Sequence, residues 1–106
     1  MCSWDWDIES NTIRWSANLE AAFGFIPGSF NASYESFLEL VHPQDRARVD
    51  QEVKRTFEEG TDYKVEFRAM LPNGTVRWTK TQGQVLYNEA GKPVRMVGIS
   101  MDIQHS

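Results

Sequence analysis

The alternation of apolar and polar residues is clearest between Tyr63 and Ile103. The first seven residues of this segment are apolar at every odd position and charged between them, a period of two that is typical of a half-buried antiparallel strand. Asn73 and Gly74 then predict a hairpin turn, because both residue types tolerate positive φ. The segment therefore predicts three long strands, enough surface to carry a core. Their approximate ranges are 63–69, 75–87 and 93–103.

Two shorter strands are predicted near the amino terminus. Trp4, Trp6 and Ile8 alternate with two aspartates, which places both indoles on one face of an extended segment. Ile13 and Trp15 have the same spacing and predict a second short strand after a turn.

The first of three predicted helices follows directly. Ser16 is a suitable N-cap for a helix over 17–23, and Gly24 is placed to end it. The loop at 25–28 contains Phe and Ile, and we expect these apolar side chains to pack inward.

Two further helices are predicted before the long strands. Ser33 caps the second, with Glu35 in its first turn. Pro43 is expected at the first position of the third helix, which Gly60 ends. The apolar stripe of the second helix is Tyr34, Phe37, Leu38 and Val41, and that of the third is Val49, Val53, Thr56 and Phe57.

The element order predicts the fold class. Two strands, three helices and three strands favour an α+β domain with one five-stranded antiparallel sheet and its helices on one face. The amino-terminal pair must lie beside the last strand for the two groups to form one sheet.

Composition narrows the function classes. The chain has 106 residues, 41% of them hydrophobic, which predicts one domain spanning residues 1–106. A net charge of −4 without a basic cluster argues against nucleic acid, and no apolar run approaches the roughly 18 residues of a membrane span. A lone cysteine, Cys2, predicts a reducing, cytoplasmic setting. Because the two histidines and this cysteine are far apart, no metal-ligand cluster is predicted.

Several short motifs, taken together and in order, resemble the PAS fold, in the subtype common in bacterial sensor kinases and cyclic-dinucleotide enzymes. The closing segment departs slightly from the family, since Gln104 stands where Thr is frequent. The motifs are Trp4-Asp5-Trp6-Asp7, Ile13-Arg14-Trp15-Ser16, Phe23-Gly24-Phe25, Phe37 to Arg46 with His42-Pro43 inside it, Glu66-Phe67-Arg68, Asn73 to Trp78, Gly91-Lys92-Pro93 and Gly98 to Ile103.

The resemblance implies a fold and a role. The fold is a sheet with its five strands in the order 2-1-5-4-3. The role is a non-enzymatic sensory module of a longer signalling protein, such as a histidine kinase or a cyclic-dinucleotide enzyme. Such a module senses a small ligand or a partner, often dimerises, and passes the signal through its last strand to an output domain in the same chain. Asp102 is the implied exit hinge; the alternative is an exposed charge without a coupling role.

Similarity to flavin-binding members of the fold implies which strand residues point inward. The hypothesis is a ligand pocket between the sheet and the third helix, with the hydroxyls as ligand contacts and the glycines leaving space. The alternative is a filled core, in which Trp4, Trp6 and Trp15 occupy that space and the domain serves only for dimerisation or interaction. The pocket candidates are Val49, Val53, Phe57, Val65, Phe67, Ala69, Thr79, Thr81, Met96, Gly98 and Ser100, with Gly83 and Val85 also inward.

The opposite face of the sheet is predicted to carry a group of apolar residues that would be exposed to water if nothing covered them. Such a patch usually marks an interaction site, here for a second copy of the chain or a flanking helix. The alternative is shielding by Arg and Lys stems. The interface candidates are Trp78, Val97, Ile99 and Met101.

The sequence does not identify a cofactor, and no catalytic group is predicted. Flavin-photoreceptor relatives need a cysteine in the helical segment, and residues 31–60 contain none. Haem-binding relatives usually supply a histidine from the long helix, and residues 43–59 contain none. Covalent flavin photochemistry and His-ligated haem are therefore disfavoured, while a non-covalent flavin or small organic ligand stays open. His42 with Asp45 suggests a general base, but a structural role at a helix junction is favoured, and His105 is expected in a frayed tail.

Overall fold

The computed structural model describes residues 2–103. Predictions about Gln104 and His105 therefore lie outside the described residues. The chain order is two strands, a helix, a two-residue strand, two helices and three long strands. The elements are β1 (Ser3–Asp7), β2 (Thr12–Trp15), α1 (Ala17–Ala22), β3 (Asn31–Ala32), α2 (Tyr34–Leu40), α3 (Arg46–Glu59), β4 (Tyr63–Met70), β5 (Val76–Tyr87) and β6 (Pro93–Asp102).

The strands form one antiparallel sheet in the order β3-β2-β1-β6-β5-β4. The predicted order of five strands is confirmed, and the predicted number is wrong by one. The additional strand, β3, pairs Ala32 with Ile13 and Asn31 with Arg14 at the edge of the sheet. Two residues are too few to produce an alternating pattern, so this strand had no periodic signal.

The helix ends follow the capping residues closely. The Ser16 hydroxyl accepts a hydrogen bond from the Leu19 amide at 3.3 Å, and the Ser33 hydroxyl accepts one from the Ser36 amide at 3.1 Å. Gly60 ends α3 with a φ of 69°, a left-handed conformation that glycine adopts without a Cβ clash.

The start of α3 differs from the prediction. Pro43 is not its first residue; residues 43–45 form a turn, in which the Asp45 amide donates to the His42 carbonyl at 2.8 Å. The helix begins at Arg46, and the Asp45 side chain makes no capping hydrogen bond. Its carboxylate is directed instead to Arg68 on β4, a tertiary contact that helix-start rules do not consider.

The helices pack on a single face of the sheet, and the core lies between the two layers. Val41 and Val49 are 0% exposed, and Met96 of β6 is 1% exposed. The strand β4 shows the predicted alternation, with Tyr63, Val65, Phe67 and Ala69 buried between more exposed charged residues. The remaining buried apolar residues are Trp6, Ile13, Leu19, Phe23, Phe30 and Val53.

The loop after α1 is only partly buried. Phe25 packs edge-on against Trp15 and Phe30, as expected. Ile26 is 77% exposed, so its predicted inward packing is wrong. The loop turns at Gly24, where φ is 81°, and after this turn Phe25 is half-buried against the core while Ile26 is in solvent.

Candidate functional site

A row of inward-facing residues crosses the sheet and determines how its inner face is filled. Strand pairing places Trp15 beside Trp4, Trp4 beside Gly98, Gly98 beside Gly83, and Gly83 beside Tyr63. The two glycines therefore lie between two large aromatic residues. The Trp4 indole lies over both of them and reaches Tyr63, with ring centroids 6.1 Å apart in an edge-to-face arrangement.

The glycines are necessary for this arrangement. A Cβ atom on Gly98 would lie 2.5 Å from Cζ2 of Trp4, and one on Gly83 would lie 2.7 Å from Cη2 of the same ring. Both separations are well below van der Waals contact. The space that the glycines leave is thus occupied by a side chain of the protein itself.

The inward hydroxyls predicted as ligand contacts already have partners. Oγ1 of Thr81 accepts a hydrogen bond from Nε1 of Trp4 at 2.8 Å and one from the Ser100 hydroxyl at 3.0 Å, and it donates to the Ile99 carbonyl at 3.1 Å. These contacts satisfy the hydroxyls in the way that buried polar groups require.

A small cavity remains between the sheet and the helices. It leaves about 50 Å³ for the centres of water-sized molecules, enough for a few waters and less than the roughly 150 Å³ cavity that holds benzene in an engineered protein. Flavin and haem do not fit it with the side chains as they stand, since sites for such ligands span about 300–1,000 Å³.

Part of the predicted set lines this cavity. Val49, Phe57, Val65 and Gly98 are not among its lining residues. The predicted residues that do line it are Val53, Phe67, Ala69, Thr79, Thr81, Met96 and Ser100.

Many lining residues lie outside the predicted pocket set, chiefly those of the amino-terminal half, although the filled-core alternative had already placed Trp4, Trp6 and Trp15 in this space. The aromatic spacing in β1 and β2 was a usable signal, because it puts their large side chains on the same face as the pocket strands. The lining residues outside the predicted pocket set are Trp4, Trp6, Ile13, Trp15, Leu19, Phe23, Phe25, Tyr34, Phe37, Leu40, Tyr63, Met70 and Leu71.

One wall of the cavity is held in place by a buried carboxylate. Glu20, 2% exposed, accepts hydrogen bonds from the backbone amides of Gly28 at 2.8 Å and Phe30 at 2.7 Å. These amides stabilise the ionised form, and they lower the pKa of the Glu20 carboxyl below its ordinary value. The loop that carries Phe25 and Phe30 is thereby tied to α1, and Phe30 stacks on Trp15 with centroids 3.8 Å apart.

The outer face of the sheet carries the four interface candidates, and none of the helices described between residues 2 and 103 covers it. Val97, Ile99 and Trp78 are half-buried, and Met101 is 43% exposed. The Arg68 guanidinium lies 5.3 Å from the centre of the Trp78 ring, a cation–π contact that shields one part of the patch.

The two faces are connected around the edge of β4. The Asp45 carboxylate accepts hydrogen bonds from the Arg68 amide at 2.9 Å and from Nη2 of its guanidinium at 2.8 Å. The guanidinium lowers the pKa of the Asp45 carboxyl to about 2. Asp45 thus joins the start of α3, which packs on the inner face, to the arginine that covers Trp78 on the outer face.

A second connection lies at the end of β6. The Asp102 carboxylate lies 3.5 Å from Nε of Arg77. The same guanidinium donates to the Ala22 carbonyl and lies 5.9 Å from the centre of the Phe23 ring. The last residue of the sheet is therefore linked to the end of α1 and to Phe23, which lines the cavity.

The hypothesis of a general base at His42 finds no geometry in its favour. Nδ1 of His42 accepts a hydrogen bond from the Gln44 amide at 3.1 Å, while Asp45 is engaged with Arg68, so the carboxylate does not orient this imidazole. Within residues 2–103, no three His, Cys, Asp or Glu side chains are grouped to hold a metal ion. In the same part of the chain, none of the helices combines the length and apolarity needed to span a bilayer.

The family model and the relatives that match this chain point to the same family. Residues 12–100 match the family model described as "PAS fold". The sensor protein FixL of Bradyrhizobium diazoefficiens is 32% identical over 101 residues, which cover 95% of this chain and 20% of that protein. The probable diguanylate cyclase DgcE of Escherichia coli is 24% identical over 100 residues, covering 94% of this chain and 9% of that protein.

A solved structure extends the comparison to the fold. A sensory box histidine kinase/response regulator from Burkholderia thailandensis superposes with a TM-score of 0.84 at 34% identity, covering 96% of this chain and 76% of that chain. The chain thus spans one fifth or less of the length of the two curated relatives.

Proposed function

This chain belongs to the PAS fold family, and from that premise we propose that it is the sensory module of a longer signalling protein. The module itself is not catalytic. Its relatives include a protein named as a sensor and one named as a probable diguanylate cyclase, so we propose a kinase or a cyclic-dinucleotide enzyme as the parent, with a cytoplasmic location.

The observation that carries the proposal is the one-sided sheet. Helices cover its inner face, while Val97, Ile99 and Met101 on the last strand form an uncovered apolar patch on the outer face. Large apolar side chains gathered on an uncovered surface favour an interaction site. We assign this patch to a second copy of the domain or to a helix that flanks it in the parent protein.

The route of the signal follows from the two connections between the faces. A ligand or partner that favours one packing of the helices against the sheet shifts the population of the domain toward that packing. The pairs Asp102–Arg77 and Asp45–Arg68 are the contacts that such a shift would change. Asp102 is the proposed exit hinge toward an output domain in the same chain.

Sedimentation of the purified domain tests the outer-face assignment. We expect the unaltered chain to form a dimer that Ile99→Glu or Met101→Glu weakens at least tenfold, because each change places a carboxylate in the contact. Lys64→Glu, which changes a charge on the same face but outside the patch, is the control and should leave the dimer intact. A chain that stays monomeric at high concentration would contradict self-association. The patch would then be assigned to a flanking helix, and the same measurement on a longer piece of the parent protein, which includes that helix, would test this assignment.

The packing of Trp4 favours a second candidate function, a ligand-free interaction module. Its indole fills the space above Gly83 and Gly98, and the inner hydroxyls of Thr81 and Ser100 are bonded. Native mass spectrometry of freshly purified protein separates the two functions. Added mass that is lost on unfolding supports a bound ligand, whereas the bare chain mass supports the interaction module.

A further inference from the structure

The turn that precedes α3 is held together by the side chain of His42. Its Nδ1 atom accepts a hydrogen bond from the amide of Gln44, two residues further on, at 3.1 Å. Asn and Asp side chains commonly accept a bond of this kind in turns, and here an imidazole takes their place. Because a ring nitrogen that accepts a hydrogen bond carries no proton, the bond exists only while the imidazole is neutral.

The same turn closes around Arg68 of β4. The His42 amide donates to the Arg68 carbonyl at 2.8 Å. The Arg68 guanidinium donates to Oε1 of Gln44 at 3.2 Å and to the Asp45 carboxylate at 2.8 Å. This guanidinium also lies 5.3 Å from the centre of the Trp78 ring on the outer face. The turn therefore positions the arginine that covers part of the outer patch.

We propose that His42 is a proton-sensitive switch for the outer face of the sheet. Protonation of Nδ1 replaces an acceptor with a second N–H donor, which then faces the N–H of Gln44. The turn opens, and the Arg68 guanidinium that it positions moves relative to the Trp78 ring. Only the consequence for a partner of the outer patch rests on the proposed function.

The charges around the turn favour its opening when His42 is protonated. Charged side chains come from each of the elements that meet there: Glu39 of α2, Asp45, Arg46 and Arg48 at the start of α3, and Arg68 of β4. Three of them are guanidinium groups, and the buried carboxylate, Asp45, is already bonded to Arg68. An imidazolium at His42 adds a fourth positive charge, and an open turn lowers the repulsion by exposing this charge to water.

The pH range of this switch is separate from that of the Asp45 carboxyl. Histidine changes its charge between about pH 5 and 8, and His42 is the only histidine among residues 2–103. The pKa of Asp45 is about 2, so its carboxylate stays ionised throughout the histidine range. A change seen between pH 7.5 and 5.5 therefore does not come from titration of the Asp45–Arg68 pair.

Amide–water exchange measured by NMR at pH 7.5 and 5.5 provides the test, with His105→Asn in every sample so that His42 is the only histidine. We expect the protection factor of the Gln44 amide, which corrects for the intrinsic effect of pH on exchange, to fall at least tenfold at pH 5.5. The indole N–H resonance of Trp78, assigned with Trp78→Phe, should move over the same range.

His42→Asn is the matched control. An asparagine oxygen accepts the same hydrogen bond from the residue two positions on, and it does not titrate. We therefore expect this variant to keep the same Gln44 protection factor and the same Trp78 resonance at both pH values.

A Gln44 protection factor that is equal at both pH values in the chain with His42 would overturn the proposal, and so would an equal fall in His42→Asn. A Trp78 resonance that stays fixed while the protection falls would also overturn it, because the change would then not reach the outer face. The chain with His42 supplies the first and third outcomes, so a failure of His42→Asn to fold does not prevent the test. None of these outcomes affects the sedimentation test, so the proposed function is judged separately.

Discussion

The inner and outer faces of the sheet are built from alternate residues of the same strands, yet they differ in almost every physical respect. On β6, Met96 is 1% exposed on the inner face, whereas Met101 is 43% exposed on the outer face. The same residue type on one strand thus has a helix layer above it in one case and none in the other. Alternation creates two distinct faces, but only the tertiary packing decides which of them is covered.

The polar groups of the two faces also differ. On the inner face, hydroxyls and an indole N–H bond to one another and to backbone, as in the Trp4–Thr81–Ser100 group. On the outer face, charges form pairs in contact with water, such as Asp5 with Arg95. Substitutions on the inner face should therefore change stability through lost packing and lost hydrogen bonds. Substitutions on the outer face should change it little, because solvent replaces the lost contacts.

The largest expected difference is between two identical substitutions on β6. Met96→Ala removes a fully buried side chain and should lower the free energy of unfolding by about 2–5 kcal/mol. Met101→Ala removes a partly exposed one and should lower it by less than about 1 kcal/mol for the monomer. Urea denaturation of both variants measures the two losses in the free energy of unfolding. Equal losses would show that the two faces contribute equally to stability and would contradict the comparison.

An intermediate effect is expected at the contact that joins the faces. The pKa of Asp45 is about 2 in the folded domain, below its ordinary value of 3.8, because Arg68 stabilises the carboxylate. The stabilisation is therefore complete above about pH 4 and is lost as the pH falls through 2. We expect Asp45→Asn to cost on the order of 1–2 kcal/mol at pH 7 and to remove this part of the acid dependence.

Denaturation of Asp45→Asn at pH 7, 4 and 2.5 provides the measurement, with Asp62→Asn, at an exposed position, as the control. If Asp45→Asn keeps the full acid dependence of the unaltered chain, the Arg68 contact does not stabilise the fold.

The smallest effect on stability is expected at the end of β6. Asp102 and Arg77 are both partly exposed, 3.5 Å apart, and such ion pairs contribute about 0–1 kcal/mol. We predict that Asp102→Ala leaves the domain folded but uncouples the output of the full-length protein, because the hinge loses its link to α1. Parallel measurement of output and of thermal unfolding checks this, and output at the normal level would rule out the hinge role.

The predictable part of the fold is the part that is set by neighbours in sequence. Alternation identified the long strands, and Ser16, Ser33 and Gly60 marked the helix ends. Local rules failed at Pro43, because the Asp45 carboxylate is bound by Arg68, which lies 23 positions further along the chain. They failed at β3 because two residues have no period.

For the candidate site, the sequence predicted which residues share a face and left open whether the space above them is empty or filled. Strand alternation grouped Gly98 with Ser100 on β6 and Thr79 with Thr81 on β5, and the family resemblance implied that these residues point toward the helices. Alternation could not decide whether Trp4 lies over the glycines, because that contact depends on the pairing of β1 with β6, strands at opposite ends of the chain.

By itself, then, the sequence determined the five longer strands, the three helices apart from the start of α3, and which residues of each element share a face, since these depend on spacings of two and of three to four residues. Only the tertiary structure decided between an open pocket and a filled core, by placing the Trp4 indole over Gly83 and Gly98, and only it showed that Arg68 bridges the two faces. The physical reason is that both contacts join residues far apart in the sequence. They form only after distant elements pack together, and the local spacing of apolar residues does not indicate them.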